Sequence, residues 1–66
     1  MPRHCGYTLH APGCTIEVWQ DENKRCFPVV HGHKSAELES AEKELQGVTA
    51  GPIWVGNQLK KIADKD

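Results

Sequence analysis

Residues 15–30 read Thr-Ile-Glu-Val-Trp-Gln-Asp-Glu-Asn-Lys-Arg-Cys-Phe-Pro-Val-Val. Two runs of strand-forming residues flank a polar cluster, the pattern of a β-hairpin. With residues 21–24 as the turn, Gln20 faces Arg25, Trp19 faces Cys26, Val18 faces Phe27 and Ile16 faces Val29. Side chains alternate along a strand, so Ile16, Val18, Phe27 and Val29 then share one face. Thr15, Glu17, Trp19, Cys26, Pro28 and Val30 take the other. A slip of one residue moves one strand's apolar set to the opposite side, so the register carries the whole reading.

Upstream, Ala11-Pro12-Gly13-Cys14 has the chemistry of a type II turn. Proline fixes φ at the second position, and glycine tolerates a positive φ at the third. Folding there sets His10 against Thr15, Leu9 against Ile16, Thr8 against Glu17 and Tyr7 against Val18. Tyr7 and Leu9 join the apolar face, Cys5 points to the same side, and Gly6 falls opposite Trp19. The expectation is a three-stranded antiparallel meander with residues 15–20 in the middle. Pro28 donates no N–H, which places residues 25–30 at an edge.

Downstream, Ser35 is a good N-cap, and Glu37 and Glu39 sit where a helix dipole favours acids. The helix extends to about Gln46 and stops at Gly47. Its apolar stripe is Leu38, Ala41 and Leu45, with Ala36 and Val48 at the ends. Ile53-Trp54-Val55 reads as a short, buried fourth strand. Residues 58–63 are either a strand after a Gly56-Asn57 turn or a small helix, and Gln, Lys, Leu and Ala favour the helix. The predicted fold is a single α+β domain over residues 1–66: a three-stranded antiparallel β-meander, one α-helix packed on one face, a short fourth strand and a small C-terminal helix or strand. The predicted order is β-β-β-α-β; the order strand, strand, helix, strand is shared by many small bacterial and phage-encoded modules, and no motif narrows it to a family.

At 66 residues the chain has a small core, which a metal, a partner or self-association would reinforce. A net charge of −1 gives no electrostatic reason for nucleic-acid or anionic-membrane binding. No apolar run is long enough to span a bilayer and none resembles a signal peptide, so a cytoplasmic location is expected. Cys5, Cys14 and Cys26 fall in places that do not suggest a disulfide, so thiols in a reducing compartment are expected.

The sequence favours a non-enzymatic protein-binding module, in the manner of a small inhibitor or adaptor that occludes a larger partner. Trp19 is its expected anchor, ringed by Glu17, His10 and Thr8, with Arg25 alongside; tryptophan and arginine are enriched at protein hot spots. The edge at residues 25–30 is a second place where another chain could add a strand. The bland reading of Trp19 is a ring covered by the C-terminal segment or by a second copy in a homodimer. Two alternatives compete. One is a zinc-stabilised module: Cys14, His31 and His33 gather at one end of the meander, though the Cys-x-x-Cys pairing of zinc knuckles is absent. The other is a single-stranded nucleic-acid binder stacking bases on the exposed sheet with Lys24, Arg25, Lys60 and Lys61 nearby, against which the scatter of those basic residues and Glu17 beside Trp19 argue. No residue can be placed in a catalytic role, and no cofactor other than zinc is suggested.

Overall fold

The computed structural model describes residues 3–65, with side chains from Tyr7 onward. Strands β1 (Arg3–Ala11), β2 (Cys14–Gln20) and β3 (Cys26–Gly32) precede helices α1 (Ala36–Glu44) and α2 (Pro52–Lys65). The sheet is antiparallel in the order β1-β2-β3, so the domain is α+β. Both helices lie on one face. α2 packs across β1 and β2, while α1 packs on α2 and reaches β3.

The first hairpin has the expected register: Tyr7 pairs with Val18, Thr8 with Glu17, Leu9 with Ile16 and His10 with Thr15. Its turn is set by Pro12 and by Gly13, whose φ of 80° is the left-handed geometry this turn demands. Farther along β1, His4 rather than Gly6 stands opposite Trp19, because the pairing is irregular between His4 and Tyr7. The expected direction of the Cys5 side chain lies outside the described residues.

The second hairpin is one residue out of the expected register. Gln20 pairs with Cys26, Trp19 with Phe27, Val18 with Pro28, Glu17 with Val29 and Ile16 with Val30. The loop explains the shift. Lys24 N–H donates to the Asp21 carbonyl, Asp21 N–H donates to the Arg25 carbonyl, and Lys24 adopts a φ of 66°. That is a three-residue loop, a type I turn followed by a left-handed residue, and not the shorter turn. The Asp21 carboxylate holds it by accepting from the Asn23 and Arg25 N–H groups, both at 2.9 Å.

The faces change accordingly. Cys26, Pro28 and Val30 turn toward the helices and are buried with Cys14, Ile16 and Val18. Phe27 and Val29, expected in the core, lie on the opposite face with Trp19 and Glu17. Tyr7, Leu9, Ile16 and Val18 keep their assignment, with Tyr7 and Leu9 half-buried against the core.

Ser35 caps α1 as expected, its Oγ accepting from Leu38 N–H at 3.1 Å, and Leu38 enters the core. The chain then turns at Gly47 (φ 81°). No fourth strand follows among the described residues. Ile53-Trp54-Val55 is instead the first turn of α2, which also takes up residues 58–63. Pro52 occupies the first helical position, where a missing N–H costs nothing. Val55, Leu59 and Ala63 repeat at helical spacing and are buried. Gly56 allows close contact with β1: a Cβ there would stand 2.6 Å from Tyr7 Cε2 and 3.0 Å from Leu9 Cδ1. No described helix is long and apolar enough to cross a membrane.

Candidate protein-binding surface

With both helices on one side, the other face of the sheet is left uncovered among the described residues. Alternation along β2 places Thr15, Glu17 and Trp19 there. Pairing adds Phe27 opposite Trp19, Val29 opposite Glu17 and His31 opposite Thr15 on β3, with Thr8 and His10 on β1. The result is an apolar strip of Trp19, Phe27 and Val29, each half-buried by its neighbours, bordered by the exposed Thr8, His10 and His31. Glu17 Oε1 lies 3.0 Å from His31 Nε2, a cross-strand polar pair at the margin.

Four of the five expected partner-binding residues, Trp19, Glu17, His10 and Thr8, therefore share one surface. Arg25 does not join them: it sits in the loop, where its guanidinium donates to the Gly47 carbonyl at 3.3 Å. Phe27, Val29 and His31 belong to the face in its place. They become visible in the sequence only once the loop is allowed its extra residue.

The β3 edge does not offer a site for strand addition. Cys26 N–H donates to the Val48 carbonyl at 2.7 Å, and its carbonyl accepts from Gly47 N–H at 2.8 Å. The Pro28 carbonyl accepts from Gln46 Nε2 at 2.7 Å, and Val30 N–H donates to Glu42 Oε2 at 2.7 Å. Helix α1 and the turn after it thus occupy the groups an incoming strand would need. Lys34 Nζ, 2.9 Å from Glu42 Oε1, completes the seal. That hydrogen bond, aided by the negative charges of Glu42 and Glu39 and opposed by some desolvation, holds the Lys34 ammonium above its ordinary 10.5.

A second apolar feature went unread in the sequence. Ile53 and Trp54 are 61% and 49% exposed. Trp54 forms one wall of a shallow groove of about 370 Å³ with Ala41, Leu45, Gln58, Lys61 and Ile62, between α1 and α2. The helical spacing of Val55, Leu59 and Ala63 carried the signal, since it turns Trp54 away from the buried stripe.

The zinc-ligand set does not assemble. Cys14 and His33 both line a small cavity of about 90 Å³ beneath Pro12 and Ser35, but His31 is on the other face with Glu17. Among the described residues no three of His, Cys, Asp and Glu are grouped to hold a metal ion. Cys14 and Cys26 are buried thiols of the core. The bases-on-sheet arrangement is also split, because Lys60 and Lys61 lie on α2, in the layer behind the sheet. Compared with protein-family models, curated proteins and solved structures, the chain matches none.

Proposed function

We propose that the protein is a small non-enzymatic binding module that recognises another protein through the uncovered face of its sheet and acts, like an inhibitor or adaptor, by occluding it. The observation that carries this reading is the Trp19–Phe27–Val29 strip, held in register by the β2–β3 hairpin on the side that neither helix covers. Aromatic side chains supply large contact areas at small entropic cost, and a polar margin of Thr8, His10, Glu17 and His31 surrounds them as rims surround interface cores. The apolar strip favours a partner that presents a complementary apolar patch. The exposure of Trp54 supports a second reading of the same class, with the groove between α1 and α2 as the contact.

Affinity capture from the source cell, with wild type, Trp19→Ala and Trp54→Ala side by side, separates the two. A partner bound by wild type and Trp54→Ala and lost with Trp19→Ala is the expected result. Trp19→Ala should melt within a few degrees of wild type, since it gives up a cross-strand pair worth about 1 kcal/mol. Capture undiminished in a well-folded Trp19→Ala variant contradicts the sheet-face reading, and loss with Trp54→Ala alone moves the contact to the groove.

A further inference from the structure

The two edges of the sheet are treated differently. β3 is sealed by Glu42, Gln46 and residues 47–48. β1 is nine residues long, and among the described residues nothing covers its outer edge in this way. The two-residue turn at Pro12-Gly13 makes Ala11 and Cys14 a hydrogen-bonded pair, so Leu9 and Tyr7 also bond to β2. The N–H and C=O groups of Thr8 and His10 then point outward, and among the described residues no hydrogen bond reaches them.

We propose that β1 pairs antiparallel with β1 of a second copy of this chain, giving a two-fold dimer with a continuous six-stranded sheet. Centred on Leu9, the pairing sets Thr8 against His10 of the second copy, twice over. Each pair exchanges the two hydrogen bonds now left outward. Residues 7–11 carry no carboxylate, lysine or arginine, so the two-fold brings no such like charges together. Tyr7, Leu9 and Ala11 stay on the helix side and Thr8 and His10 on the open side, so both cores and both open faces become continuous.

The helix layer fits the same operation. α2 packs mainly over β1 and β2, next to the open edge of the sheet. The two-fold therefore brings the α2 helices of the two copies side by side on the helix face of the joined sheet. The flank of α2 away from α1 carries Ile53, Asn57, Lys60 and Asp64. Asn57 marks its position over β1, its Oδ1 accepting from the Tyr7 hydroxyl at 3.4 Å. The two-fold sets the Ile53 end of one flank against the Lys60–Asp64 end of the other. Those two charges are already paired at 2.8 Å, so the exposed Ile53 meets a neutralised surface.

Sedimentation equilibrium over a concentration series tests this, together with amide hydrogen exchange. Wild type should reach twice the 7.4 kDa of a single chain. The Thr8 and His10 amides should be protected in the dimer and exposed on dilution, while Leu9, bonded to β2, stays protected throughout. His10→Pro removes an outward donor that the monomer does not use. Ile53→Lys puts a charge on the α2 flank at a position too exposed to affect folding. Each should weaken the dimer by roughly tenfold or more, and Ile53→Lys carries the test alone if His10→Pro does not fold. Trp19→Ala should leave the dimer intact, which keeps this result separate from that of the open-face reading. A monomer at all concentrations, a dimer that a folded variant of either kind leaves unchanged, or a dimer lost with Trp19→Ala overturns the proposal.

Discussion

Lys24 decides which side of the sheet Phe27 occupies. It takes a left-handed φ of 66°, a conformation that crowds a Cβ against the backbone and that glycine adopts freely. The Asp21 carboxylate, bonded to two loop N–H groups, keeps the chain there. Relieving the crowding without altering the loop should stabilise the fold. Lys24→Gly is expected to gain about 0.5–1 kcal/mol, the steric relief less the greater freedom of glycine in the unfolded chain. Urea denaturation checks it through a higher midpoint at unchanged slope. A lower midpoint would mean that the loop is not held in this geometry.

Among the elements, β3 shows how a helix can close a sheet edge. Glu42 takes Val30 N–H with one carboxylate oxygen and Lys34 with the other. Glu42→Ala should cost about 1–3 kcal/mol, the penalty for leaving the part-buried Val30 N–H without a partner. Glu42→Gln keeps an acceptor for Val30 but loses the carboxylate hydrogen bond, and with it the charge, that raises the Lys34 pKa. A raised folded-state pKa means that the ion pair contributes fully below 10.5 and fades as pH climbs through the higher folded value. The stability difference between wild type and Glu42→Gln, read by denaturation across that range, should therefore shrink toward alkaline pH. A constant difference would assign no stability to the ion pair.

The same scale shows what a sequence makes legible. Pro12-Gly13 dictates both the turn and its length, so the first hairpin is readable residue by residue. Asp-Glu-Asn-Lys-Arg has no glycine to mark its left-handed position, and both candidate registers bury an apolar set: Phe27 and Val29 in one, Cys26, Pro28 and Val30 in the other. Alternation alone cannot choose between them. α1 was legible from the Ser35 cap and the acids after it. α2 was obscured because Gly56-Asn57 resembles a hairpin turn, while the Pro52 start and the Val55, Leu59, Ala63 spacing are spread over twelve residues. The sealing of β3 depends on side chains twelve to eighteen residues away in sequence, which no local pattern encodes.

For the whole molecule, the consequence of these local choices is an unequal pair of sheet faces. One is covered by both helices, with Ile16, Val18, Leu38, Val55 and Leu59 fully or almost fully buried. The other keeps Trp19, Phe27 and Val29 with nothing from the described helices over them. Trp19, Glu17, His10 and Thr8 share that second face because β1 and β2 pair as Pro12-Gly13 dictates, and Phe27 and Val29 join them because the longer loop shifts β3 by one residue. The protein-binding proposal rests on this division, and the division rests on the pairing of β2 with β3. Nuclear Overhauser contacts between α-protons report such pairing directly, since they are strongest across the non-hydrogen-bonded pairs of antiparallel strands. The structure predicts α-proton contacts between Ile16 and Val30 and between Val18 and Pro28. Contacts of Ile16 with Val29 and of Val18 with Phe27 would instead put Phe27 and Val29 beneath the helices and contradict the account.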